Sequence, residues 1–198
     1  MRNVRDLAAV HQWLLGDLAI TRAAGASRWS GSASAGWVAA EMATQAPRAF
    51  RKLVLVGAMG LKPDRGVIAD QALVSYIDYV RLGFSDQSAF DRSSAPSRTT
   101  SRLEHWDLNR EMSLPHRVEA LHVQPVLAAS PRRHRHAHRW WSGGATIASC
   151  PSNAASATPK RCPGRASRSI EGAGHFVEME KPTELAQLVT DFVSQGDA

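Results

Sequence analysis

Two places in this 198-residue chain hold residues whose types and spacing suit acyl-transfer chemistry. The first is Glu171-Gly172-Ala173-Gly174-His175-Phe176-Val177-Glu178-Met179-Glu180-Lys181-Pro182, ahead of a helical pattern. A histidine on a glycine-flanked turn after a strand is accessible and titrates near neutral pH, and the glycines let a partner approach, which suits a general base. An ordinary surface-loop histidine is the competing reading. The second is Trp29-Ser30-Gly31-Ser32-Ala33-Ser34-Ala35-Gly36-Trp37, where serines lie between glycines. A serine on a tight, glycine-flanked turn is exposed for nucleophilic attack, and the backbone N–H after it can bind an oxyanion. The competing reading is a Ser/Gly/Ala loop without chemistry.

A third candidate is the run Arg132-Arg133-His134-Arg135-His136-Ala137-His138-Arg139-Trp140-Trp141. Its alternating histidines, with Cys150 and Cys162, supply zinc-type donors, but no C-x2-C or H-x3-H spacing organises them. Arginine beside tryptophan suits phosphate contact and base stacking, but no nucleic-acid-binding module surrounds it. The net charge of +6 and pI near 10.0 point toward an anionic partner at first sight. The charge is not spread evenly, however. Residues Pro131 to Arg168 contain eight basic residues and no acidic one, and the remainder carries 16 basic against 18 acidic. The basicity is therefore a property of one segment, and neither a metal nor nucleic acid is the expected partner.

The surrounding elements must position these residues. The spacing of Val4, Leu7, Ala8, His11, Leu14, Leu15 and Leu18 predicts an amphipathic helix over 3–18. Residues 21–35 lack periodicity. Residues 36–46 read as a short helix stopped by Pro47, and Arg51–Gly57 as a strand buried on both faces. Residues 67–84 have a helical phase through Ile68, Ala72, Ile77 and Val80, and 85–101 read as loop. Leu121–Ala128 reads as a strand, 130–168 shows no pattern, 169–182 is a strand edge with a Gly-rich turn, and 183–195 is a clear helix. Helices alternating with strands argue for an α/β architecture with a parallel sheet. With 43% hydrophobic residues the chain can build a core, and no apolar run is long enough to span a membrane. The start lacks a secretory signal pattern and two cysteines are no disulfide scaffold, so a cytoplasmic location is expected.

In this setting the 171–182 segment closely resembles the histidine turn of α/β-hydrolase-fold enzymes. Trp37–Ala43, with Pro47 and the Leu53–Gly57 strand, resembles the helix and strand that follow their nucleophile elbow. Asn109-Arg110-Glu111-Met112, with Val123-Gln124-Pro125-Val126-Leu127, resembles the end of the cap and the strand after it. The likeness covers residues 1–20, 36–84, 102–128 and 169–195, and is closest to the branch of meta-cleavage-product hydrolases and related esterases. It implies a partial α/β-hydrolase fold: a mostly parallel sheet flanked by helices, with a helical cap insertion. Residues 1–60 and 118–198 would form the core, with 61–117 the cap-like insertion and 131–168 an irregular basic segment. The family's earlier strands would precede residue 1. The implied reaction is hydrolysis of an ester or an activated C–C bond through a Ser-His-Asp set. The implied substrate is a small hydrophobic ester or ring-cleavage product, with no cofactor.

The sequence departs from that family at two positions. The family elbow reads G-x-S-x-G, and its triad runs Ser, Asp, His along the chain. Counting forward from Gly31, or back from Gly36-Trp37, puts the nucleophile slot at Ala33, which cannot attack a carbonyl. Ser34 serves only if the turn shifts by one residue, with the Ala35 N–H as oxyanion donor. The acid belongs after the 123–128 strand, yet no Asp or Glu lies between Glu119 and Glu171. Asp64 is a substitute position in some relatives and otherwise a solvated loop residue. His175 maps cleanly, Ser34 is the best available nucleophile, and no acid is identified. The chain is therefore expected to be an impaired hydrolase. The alternative is a non-catalytic remnant whose basic segment binds nucleic acid or an anionic surface weakly. Both departures fall in aperiodic stretches rich in Arg, Ser, Ala, Gly, Pro and Trp, which GC-rich codons yield out of frame. With Ser27 ending in G and CGC TGG TCG GGN for Arg28 to Gly31, the shifted frame reads Ala-Leu-Val-Gly, a strand entering an elbow. A similar shift over Pro131–His134 yields Gly-Arg-Ala-Asp-Thr and restores an Asp. The gene sequence tests this hypothesis, since alternative frames encoding nothing family-like would end it.

Overall fold

A computed structural model describes residues 3–18, 27–46, 49–59, 73–94, 104–106, 108, 111, 145–151 and 166–194. Over these residues the fold is mixed α/β. Helix α1 (Val4–Asp17) starts where the Asn3 side chain accepts the Asp6 N–H at 3.0 Å, satisfying one of the first-turn donors. Strand β1 (Ser27–Ser32) runs straight into α2 (Ala33–Gln45), and β2 (Phe50–Val56) follows. Helices α3 (Tyr76–Leu82) and α4 (Gln87–Ser94) come next. Strands β3 (Ala145–Pro151) and β4 (Ala166–Ile170), a short α5 (Val177–Glu180) and α6 (Pro182–Ser194) complete the described order.

Strand β2 organises the core because it is buried on both faces. Successive side chains of a strand point to opposite faces. Leu53 and Leu55 pack with Ala8 of α1 and with Ala39, Ala40, Met42 and Ala43 of α2. The small side chains of α2 let the helix lie close to the sheet. Val54 and Val56 pack instead with Ile170, Ala173 and Val177, covered by Leu185, Leu188, Val189 and Phe192 of α6. A strand covered on both faces reads as a continuous apolar run, which is how it was legible in the sequence. Arg51 near its start is exposed, and the one buried polar residue of the strand is Lys52, only 3% exposed. The Lys52 Nζ donates to the carbonyls of Phe192 and Val193 at 2.9 and 3.2 Å and lies 5.3 Å from the Phe192 ring centre, so the charge is used on the last carbonyls of α6.

The four strands stand in the order β1-β2-β3-β4. β1 and β2 are parallel, whereas β3 is antiparallel to both β2 and β4. The sheet is thus mixed, not mostly parallel as expected. β1, β2 and β4 share one direction, and β3 runs against them. Antiparallel pairing needs no helical crossover between neighbours, which is why β3 and β4 can come from a stretch with no helical pattern. That stretch, read as irregular through 168, holds both β3 and the start of β4. Two further expectations change. Residues 27–32, read as aperiodic, form a strand, and 87–94, read as loop, form a helix. The α4 helix is held by Phe90 and Ala89 against Phe84, with the Phe84 and Phe90 ring centres 5.5 Å apart. The expected strand over 121–128 lies outside the described residues. No described helix is long and apolar enough to cross a membrane.

Candidate active site

Because β1, β2 and β4 point the same way, their C-terminal ends meet at one end of the sheet. Ser32, the last residue of β1, is in register with Val56, the last of β2. Ala33 therefore follows β1 where Gly57 follows β2, and the Met59 N–H donates to the Ala33 carbonyl at 2.9 Å. The turn 171–176 leaves β4 at the same end. In open α/β sheets this end, outside the carboxyl ends of the strands, is where ligands bind.

The β1–α2 junction carries the sharpest backbone feature. Ala33 has φ +46°, and among the described residues no other non-glycine residue has positive φ. A side chain in the left-handed region costs on the order of 1 kcal/mol and persists only where surrounding packing dictates it. The packing here is visible. A Cβ on Gly31 would come within 2.9 Å of the Gly36 Cα, and one on Gly36 would come within 2.8 Å of the Gly31 carbonyl oxygen and collide with Ala58. Strand end and helix start are pressed together, and the residue between them takes the left-handed conformation. Strand, positive-φ residue and helix follow one another directly, a sharp strand-to-helix turn. The strained position is the Ala33 slot counted from the glycines, not Ser34. Ser34 lies one residue on, exposed, in the first turn of α2, and Ala35 is exposed beside it. Ser32, at the N-cap, makes no side-chain capping bond, so no side chain of the cap residue takes up the first N–H groups of α2.

His175 is half-buried in the turn after β4. Its backbone N–H donates to the Gly83 carbonyl at 2.6 Å, and its ring packs edge-on against Phe176 with centres 5.2 Å apart. The ring faces the end of β2: a Cβ placed on Gly57 would lie 3.4 Å from its Nδ1. Burial lowers the imidazole pKa below 6.5, and the charge of nearby Glu178 opposes that shift. The ring is accordingly held neutral at pH 7, the form a base needs. Among the described residues no carboxylate hydrogen-bonds the His175 ring and no hydrogen bond joins it to Ser34. The structure brings the Ala33 slot and His175 to one end of the sheet without placing a nucleophilic oxygen between them.

Asp64 lies outside the described residues, as do His134, His136, His138 and Cys162. Cys150 falls on β3, and among the described residues no trio of His, Cys, Asp or Glu is placed to hold a metal. One participant escaped the sequence reading. Glu180 receives three backbone N–H groups from the two turns around His175. Its place, the second of two acids just before the Lys181-Pro182 start of a helix, does not single it out from Glu178. Comparison with family models, with curated proteins and with solved structures gives no significant match.

Proposed function

We propose that this chain is an α/β-hydrolase-type acyl-transfer domain in which alanine occupies the nucleophile slot. The observation that carries the reading is the forced positive φ of Ala33 at a strand-to-helix turn, at the same sheet end as His175. Its substrates are small hydrophobic esters or activated ring-cleavage products. With no hydroxyl at the slot, the chain acts weakly. His175 takes a proton from water as the water oxygen attacks the ester carbonyl. The N–H groups opening α2, at Ser34 and Ala35, stabilise the oxyanion. Collapse of the tetrahedral intermediate expels the alcohol, which recovers the proton from His175.

The test is hydrolysis of p-nitrophenyl acetate by the wild type, His175→Ala and Ser34→Ala. A positioned general base contributes about 10²-fold or more, so His175→Ala should fall to the background set by the seven other histidines. Ser34→Ala should retain the wild-type rate. Equal rates in all three proteins overturn the enzymatic reading and leave a non-catalytic domain. A loss confined to Ser34→Ala would move the nucleophile to Ser34.

A further inference from the structure

Two turns converge on His175. One is Gly83–Asp86, which joins α3 to α4, and the other is Ala173–Phe176, which follows β4. The approach is close. Both the His175 and Phe176 N–H groups donate to the Gly83 carbonyl, at 2.6 and 3.3 Å. A Cβ on Gly174 would collide with that carbonyl and lie 2.8 Å from the Ser85 nitrogen. The Phe84 and Phe176 rings pack at a tilt of 33° with centres 5.1 Å apart.

Glu180 sits across this junction. One carboxylate oxygen, Oε1, accepts the Ser85 N–H at 2.8 Å and the Asp86 N–H at 2.7 Å. The other, Oε2, accepts the Gly174 N–H at 2.5 Å. A single side chain thus satisfies three backbone donors drawn from both turns, and charge-assisted bonds of this kind are the stronger class. The residue it binds on the second turn immediately precedes His175. Glu180 does not touch the imidazole, so its action is through the backbone.

We infer that Glu180 is the positioning residue of His175: its carboxylate ties the histidine turn to the α3–α4 turn, so that the helical insertion and the base move as one body. The inference rests on the reading of His175 as a base. A substrate that shifts α3 and α4 would then shift His175 with them. Glu180→Gln keeps the size but replaces one acceptor oxygen with a donor group, so it can serve one turn and not both. Glu180→Asp keeps the charge but is too short to span the two.

The experiment combines amide hydrogen exchange with carbethoxylation of His175 and p-nitrophenyl acetate hydrolysis, in the wild type, Glu180→Gln, Glu180→Asp and the exposed control Glu184→Gln. Loss of a charge-assisted bond should speed exchange at Gly174, His175, Ser85 and Asp86 by about tenfold or more. The β2 amides Val54 and Leu55 should stay unchanged. His175 should carbethoxylate faster and its hydrolysis rate should fall toward that of His175→Ala. Glu184→Gln should match the wild type throughout. A parallel rise at every amide means a merely structural role and overturns the proposal, as does wild-type exchange in both Glu180 variants. If Glu180→Gln fails to fold, Glu180→Asp carries the same comparison. Should His175→Ala be as active as the wild type, the hydrolase reading fails, while the exchange pattern still decides whether Glu180 ties the two turns.

Discussion

Replacing Ala33 by serine should convert the slot into a working nucleophile. Alanine and serine both carry a Cβ, and the backbone strain at φ +46° is already present. The substitution should therefore leave stability within about 0.5 kcal/mol of the wild type. The new hydroxyl would stand on the positive-φ turn, next to the N–H groups that open α2 and at the sheet end that holds His175. The size of the gain follows from what is missing. In serine hydrolases, removing the serine or the histidine abolishes nearly all of the chemical acceleration, whereas removing the carboxylate leaves on the order of 10²-fold. No carboxylate hydrogen-bonds His175 among the described residues, so Ala33→Ser should hydrolyse p-nitrophenyl acetate on the order of 10²-fold faster than the wild type. Mass spectrometry should find one acetyl group on the peptide spanning residue 33, and adding His175→Ala should abolish both effects. A folded Ala33→Ser protein with the wild-type rate and no acetylation would refute the assignment of the slot. Acetylation at Ser34 would show that the turn works one residue further on.

Two other outcomes follow from the buried cations and bases. The folded pKa of His175 lies below the unfolded value of 6.5, so between the two values the unfolded chain binds the extra proton. The stability this contributes is complete above 6.5 and is lost as pH falls through the folded pKa. Unfolding temperature should therefore drop more steeply on acidification in the wild type than in His175→Gln, and matching slopes would contradict the burial described. Lys52→Met should cost about 1–3 kcal/mol by urea unfolding, because the Phe192 and Val193 carbonyls lose their donor inside the protein. An unchanged or raised midpoint would show that desolvation of the ammonium offsets the bonds.

The elements that were legible in the sequence share a strong period or a long apolar run. Val4, Leu7, Ala8 and Leu15 gave α1 almost to the residue, and Leu185, Leu188, Val189 and Phe192 gave α6. Leu53–Val56 announced β2 because both of its faces are covered. β1 was missed because Arg28, Ser30 and Ser32 face out, and the inward residues include only Trp29 and a glycine. α4 was missed because its Ser- and Arg-rich face is exposed, and only Ala89 and Phe90 are buried. β3 carries only Ile147 as a large aliphatic residue, with no clear alternation, and pairs through its backbone with β2 and β4. At the site, His175 was visible from its glycines, and Ala33 from counting between Gly31 and Gly36. The tie made by Glu180 depends on backbone N–H groups brought from opposite ends of the chain, and no side-chain pattern records those.

The contact between Lys52 and the end of α6 also bears on the order in which the protein assembles. The partners are 140 residues apart in the chain. During synthesis β2 emerges with its Val54 and Val56 face uncovered, and both that face and the Lys52 ammonium wait for residues made about 140 positions later. Closing so long a loop is slow, and contacts of this range are expected to form late in folding. The histidine turn lies between β4 and α6, inside the piece that docks at that final step. A nascent or partly folded chain would thus hold its β1–α2 turn before its His175 turn, and would expose an apolar strand face to other chains in the interval.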